Sequence, residues 1–313
     1  MAGNRAKIGV IGGGNVGASC ALTLAQMELG DVVMLDIVED MPQGKSLDMF
    51  QSSPIGRFDA HITGANNPAE LAGCEVVIVT SGVPRKPGMS RDDLLTKNAE
   101  IISTVSKNLL AHCPDAIVIM VANPLDVMCW HLHRTMKKHK SKVIGMAGIL
   151  DSARMAAFVA MELDVSIKDI SPMVLGGHGD TMVPLPRFTT VSGIPITELI
   201  SSERIEAIAQ RTRQGGAEIV ALLKQGSAYY APGAAAAQMA ESIIRDQKRI
   251  LPCCALLEGE YGIKNTWVGV PCKLGTNGIE KIFDLKLTPD ESAQLKKSAE
   301  HVASTCDALA KLL

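Results

Sequence analysis

The chain is 313 residues long, which suggests two domains at about 150 residues each. Hydrophobic residues make up 47% and charged residues 20%, a balance that excludes disorder, collagen-like repeats and a disulfide-dense miniprotein. The formal charge is −2, and the aromatic residues are only five Phe, two Trp and three Tyr. Such a chain has no overall field to attract nucleic acid or an anionic membrane, and few rings on which to stack bases.

In chain order, Lys7 to Ile11 is a short apolar run closed by glycines and predicts a buried strand. Helical spacing follows from Val16 to Leu29 and stops at Gly30. Val32–Leu35, Glu75–Val79 and Ile117–Val121 repeat the strand pattern, and Val143–Gly145 is a shorter version. Asp92–Leu110 predicts a long helix between them. Continuous apolar strands alternating with helices indicate an α/β, doubly wound parallel sheet covered on both faces. Ligands of such sheets bind beyond the carboxyl ends of the strands, so chemistry is expected in the loops that follow them.

After about residue 150 the pattern changes. A helix over 151–163 leads to a strand-like run over 170–175 and a glycine-rich turn at 176–179. Helices are expected over 204–224, 234–249 and 291–312, with strands over 250–258 and 265–271. Gly215-Gly216 inside a helix predicts a kink or a close contact. This half reads as α+β. The division is 1–145 for a dinucleotide-binding domain of Rossmann type and 146–313 for a substrate-binding, catalytic domain.

Eight cysteines lie at 20, 74, 113, 129, 253, 254, 272 and 306, and no two are spaced as metal ligands or a redox pair. Buried reduced thiols and no metal site are expected. Met1 to Lys7 has no apolar signal core and no run reaches 18 apolar residues, so the expected location is cytoplasmic.

Gly12-Gly13-Gly14-Asn15-Val16-Gly17 contains G-x-G-x-x-G between a predicted strand and a predicted helix. Gly12 allows the turn, Gly14 lets a pyrophosphate approach, and Gly17 lets the helix lie close on the strand. Asp36 ends the second apolar run, where a carboxylate accepts hydrogen bonds from a ribose and repels a 2′-phosphate. That favours NAD over NADP. The competing reading of Asp36 is a turn residue.

Three further segments carry polar groups. Gly82 to Arg91 holds three cations and follows the third predicted strand, which suits an anionic ligand and a loop that closes. Asp151 and Arg154 share a helix face, where an ordinary ion pair is the simplest reading. His178 is flanked by glycines in Gly176-Gly177-His178-Gly179-Asp180, and Asp180 competes with Asp151 as its partner; spacing does not decide between them.

Taken together these segments resemble the lactate/malate dehydrogenase family, nearly end to end. The matching residues are the glycine loop at 12–17, Asp36, the loop from Arg85 to Arg91, Val121-Ala122-Asn123-Pro124, Asp151 to Arg154 and Gly176 to Asp180. The resemblance implies that His178 is the proton acceptor and donor, with Asp151 its partner. It implies that Arg154 grips the substrate carboxylate, and that Arg91 and Asn123 meet the reacting oxygen. Asn15, Val16, Asn98, Val121 and Asn123 would contact the cofactor beside Gly12, Gly14 and Gly17. Lactate-type members usually place Gln where Arg85 stands, so Arg85 points to a dicarboxylate. The expected function is reversible hydride transfer between (S)-malate and NAD, a reaction of the tricarboxylic acid cycle, in a homodimer or homotetramer. The alternatives are a lactate or broad 2-hydroxy-acid dehydrogenase and, more distantly, a non-catalytic NAD-binding protein.

Overall fold

The computed structural model describes residues 5–83 and 90–313, without the side chain of Arg91. Six parallel strands form its centre: β1 (Lys7–Ile11), β2 (Asp31–Leu35), β3 (Ile62–Ala65), β4 (Val76–Val79), β5 (Ile117–Met120) and β6 (Val143–Gly145). Their spatial order is β3-β2-β1-β4-β5-β6, the doubly wound arrangement that reverses direction between β1 and β4. Every residue of β4 and β5 is buried, which is why these strands read as unbroken apolar runs. β3 escapes that pattern: it is an edge strand of four residues, and only Ile62 and Ala65 are buried.

The sheet does not stop at β6. Three more strands, β7 (Arg249–Glu258), β8 (Lys264–Gly275) and β9 (Gly278–Ile282), extend it antiparallel to nine strands. The junction is the pairing of Cys254 in β7 with Gly145 in β6. The parallel sheet expected from the first half is thus part of a mixed sheet shared by both halves. A single main core runs through both, from Ile8 and Leu24 to Val270 and Leu309. All eight cysteines are buried and free.

Helix α1 (Asn15–Gln26) follows β1, and α2 (Met41–Gln51) follows β2. Helix α3 (Arg91–His112) opens with a reciprocal capping box between Ser90 and Asp93. Helix α4 (Leu125–Met136) begins immediately after a cis Asn123–Pro124 bond. In the second half come α5 (Gly148–Leu163), α6 (Ser202–Leu223), α7 (Tyr230–Ile244) and α8 (Pro289–Leu312). A smaller core joins α5 to a three-stranded sheet of two-residue strands through Met155, Val159, Ile170 and Val191. Helix α6 runs unbroken through Gly215 and Gly216. The two glycines serve close contact: a Cβ on Gly215 would lie 3.0 Å from Cδ of Arg154.

Candidate active site

The glycine loop turns from β1 into α1 under tight constraint. Gly12 has φ +107, and a Cβ there would meet Thr80 Oγ1 at 2.6 Å. A Cβ on Gly17 would lie 1.8 Å from the Gly12 carbonyl oxygen. Gly14 is the opposite case, with nothing within 4 Å of where a Cβ would stand. Helix α1 has no side-chain cap and no acidic residue in its first turn. An open, uncapped helix N-terminus over a bare glycine presents N–H groups to an anion, so the residues present fit the pyrophosphate of a dinucleotide.

Asp36 follows β2 and shapes the same loop. Its Oδ2 accepts from Gly13 N–H at 2.6 Å and its Oδ1 from Val38 N–H at 3.0 Å. It therefore holds a turn, while each oxygen keeps a further lone pair for a ligand hydroxyl. Lys45, on α2, donates to the Gly13 carbonyl at 2.7 Å. The two peptide groups flanking Gly13 are thus both held, and sequence reading missed the lysine because nothing in an exposed-looking PQGKS stretch marks it.

Asn98 is buried on α3 and spends its amide on the crevice loops. Its Oδ1 accepts from Val83 N–H at 2.8 Å, and its Nδ2 donates to the carbonyls of Asn123 at 2.7 Å and Val83 at 3.3 Å. The side chain so joins the ends of β4 and β5. Val121 is buried at the end of β5, and Asn123 is exposed beside it. Arg85 and the side chain of Arg91 lie outside the described residues.

His178 sits in the turn between two short antiparallel strands, Val174–Leu175 and Val183–Pro184. Gly176, with φ +91, exchanges two backbone hydrogen bonds with Gly269 of β8 at 2.9 and 3.0 Å. A Cβ on Gly269 would sit 2.5 Å from the Gly176 oxygen, so only glycine lets the turn lie on the sheet. On the other side, Ser298 of α8 accepts from Gly177 N–H at 2.8 Å and donates to Thr181 Oγ1 at 3.0 Å.

Asp151, from the first turn of α5, bridges base and cation. Its Oδ2 is 3.0 Å from His178 Nδ1, and its Oδ1 accepts from Arg154 Nη1 at 2.9 Å. The Asp151 side chain is 2% exposed and that of Arg154 14%, so this is no solvated surface pair. Asp180 is exposed and makes no bond to the imidazole; the choice left open by spacing falls to Asp151. With the carboxylate accepting at Nδ1, the neutral ring keeps its proton there and leaves Nε2 free. Burial pulls the imidazole toward neutrality, but the charge and hydrogen bond of Asp151, with Asp126 behind, outweigh it and hold the pKa above the ordinary histidine value. Asp126 was not found from sequence: a buried carboxyl on α4, it accepts from His178 main-chain N–H at 2.9 Å. Its only trace is a lone acidic residue in the run Leu125-Asp126-Val127-Met128-Cys129-Trp130.

The imidazole and the guanidinium bridged by Asp151 lie on a turn seated on β8 and on helix α5, and the glycine loop lies at the end of β1. Among the described residues no group of side chains could hold a metal ion. Two family descriptions match nearly the whole chain: "lactate/malate dehydrogenase, NAD binding domain" over 6–145 and "lactate/malate dehydrogenase, alpha/beta C-terminal domain" over 149–312. A malate dehydrogenase from Roseiflexus sp. is 54% identical over 97% of this chain and 99% of its own. The apo malate dehydrogenase of Picrophilus torridus superposes with a TM-score of 0.95 at 44% identity, covering 98% of both chains. A Cryptosporidium parvum lactate dehydrogenase, solved with lactic acid and nicotinamide adenine dinucleotide, superposes at 0.94 with 40% identity over 97% and 98% of the two chains. The chain therefore belongs to the lactate/malate dehydrogenase family.

Proposed function

We propose that the chain is an NAD-dependent malate dehydrogenase that interconverts (S)-malate and oxaloacetate. The observation that carries the reading is Asp151, whose single carboxylate aligns the base His178 and the carboxylate-binding cation Arg154. Oxidation of an alcohol removes a proton and a hydride. Bound NAD supplies the hydride acceptor. His178 takes the hydroxyl proton at Nε2, and Asp151 stabilises the imidazolium that forms. Arg154 offers a planar, permanently charged partner to the substrate's 1-carboxylate. Asn123 and Arg91 polarise the reacting oxygen. The glycine loop with Asn15 and Val16 holds the pyrophosphate, Asp36 the adenosine ribose, and Val121 and Asn123 the nicotinamide side. Asn98 supports that side by clamping its loops.

The fold does not separate malate from lactate, since lactate dehydrogenases share it. The proposal for malate rests on the similarity to malate dehydrogenases and on Arg85 in sequence. Shut in with oxaloacetate, Arg85 is neutralised by the second carboxylate; shut in with pyruvate it has no partner, and a buried unpaired charge costs several kcal/mol. Rates with NADH and either oxo acid test this. We expect oxaloacetate to be preferred by at least ~10³ in kcat/KM, which is about 4 kcal/mol, and Arg85→Gln to lose most oxaloacetate activity while gaining some with pyruvate. A variant ratio within a few-fold of wild type would sink the assignment of malate.

The proposed division remains 1–145 for the cofactor and 146–313 for the substrate, with a homodimer or homotetramer in the cytoplasm. Leu47, Phe50 and Ile55, exposed on and just after α2, support association. No helix among the described residues is long and apolar enough to cross a membrane.

A further inference from the structure

Asp126 is expensive to keep. It is 5% exposed, its Oδ1 is buried with no strong donor against it among the described residues, and beside the His178 N–H only the weakly donating Cys254 thiol faces the carboxyl. A buried carboxyl with so weakly partnered an oxygen is poor as a stabilising device and calls for another reason. Its other oxygen gives that reason, because it takes the main-chain N–H of His178. Asp126 is the second residue of α4, three positions after Asn123, whose carbonyl is held by Asn98. The proton-taking imidazole and the segment assigned to the nicotinamide and the reacting oxygen therefore hang from one helical turn. Asp151 fixes the ring from α5, and Asp126 fixes the peptide that carries the ring.

We propose that Asp126 is a positioning residue for proton transfer: its carboxyl oxygen accepts the His178 peptide N–H and so sets where Nε2 stands relative to Asn123. The inference rests on the dehydrogenase reading above. The groups facing this pair are Asp151 and Arg154 from α5, Cys129 on α4, Cys254 from β7 and Cys306 from α8. Burial pushes the Asp126 carboxyl above the usual range, and Cys254 and the His178 N–H pull it only part of the way back.

The test compares two near-isosteric variants by oxaloacetate reduction, with NADH binding as the check on folding. Asp126→Leu removes the acceptor without opening a cavity. We expect kcat to fall by about 10- to 100-fold, the scale of a small misplacement of a reacting group. KM for oxaloacetate should change little, because Arg154 still rests on Asp151. Asp126→Asn keeps an acceptor oxygen and should recover kcat, measured at each variant's own optimum pH, to within a few-fold. If the leucine is not accommodated, Asp126→Ala replaces it in the same comparison. Wild-type kcat in a folded Leu or Ala variant overturns the proposal. So does an Asn variant that loses kcat at its own optimum pH as Leu does, since the acceptor oxygen would then not be what mattered. Wild-type protein inactive with both oxaloacetate and pyruvate would instead overturn the dehydrogenase reading.

Discussion

The glycine loop and the histidine turn are assembled from different parts of the chain. At the loop the groups proposed to meet the cofactor are main-chain N–H groups, and the side chains that shape them, Asp36 and Lys45, come from the end of the next strand and from the helix after it. At the turn the chemistry is in side chains, and the partners arrive from Asp126, Asp151 and Ser298, on three different helices. A backbone site can be written as a short motif because sterics fix each glycine locally. A side-chain site cannot, because its partners meet only after the sheet and its covering helices have packed. The two regions should also fail differently: damage to the turn lowers kcat with cofactor binding intact, and damage to the loop alters which cofactor binds.

The largest effect should come from the base. His178→Asn removes the proton acceptor and should cut turnover by roughly 10²–10⁴, while NADH fluorescence titration gives a nearly wild-type Kd. Equal losses in binding and turnover would erase the contrast between the regions.

Asp151→Asn tests the turn through pH. The imidazole pKa is raised in the folded protein, so the ring stays protonated to higher pH than an ordinary histidine. Reduction of oxaloacetate consumes that proton, and its rate should fall as pH rises through the raised value. Asp151→Asn removes the charge that opposes burial, lowers the pKa and moves the fall toward acid pH. The same linkage gives a stability term present below the unfolded value near about 6.5 and lost as pH rises through the folded value. If Asp180→Asn moved the profile and Asp151→Asn did not, the partner would be misassigned.

The smallest expected change is at the loop. Asp36→Ala removes a ribose acceptor and the repulsion of a 2′-phosphate. One charge-assisted hydrogen bond of roughly 1.5–3 kcal/mol corresponds to a fall of tenfold or more in NAD:NADP preference, read from kcat/KM with each cofactor. Unchanged preference would leave Asp36 with only its bonds to Gly13 and Val38.

The same contrast sets what could be read in sequence. The strands β1, β2, β4, β5 and β6 were legible because burial on both faces makes them continuously apolar. β3 was not, since an edge strand buries too little to leave a signal. Helix α4 went unrecognised in sequence: it follows Pro124 directly, and five residues in succession, Leu125 to Cys129, are buried, as in a strand-like run. His178, Asp151 and Arg154 were found as separate segments, yet the pairing of Asp151 over Asp180 needed the fold. Lys45, Asp126 and Ser298 carry no local pattern: each is an ordinary polar residue until a backbone group from elsewhere is placed against it.

The seam between β6 and β7 bears on how the site is gated. A Cβ on Gly145 would stand 2.6 Å from both Cys254 Cβ and Leu125 Cδ2, so the strands meet there with no slack. Many two-part enzymes close by rotating one part about a hinge, with an interface that can slide. Here the sheet continues across the boundary through the pair Cys254–Gly145 and one core spans both parts, which opposes such a rotation. We expect access to the crevice without a rotation of the two halves. Small-angle scattering should give the same radius of gyration per subunit with and without NADH and a substrate analogue; a contraction of the particle would place a hinge where the sheet runs through.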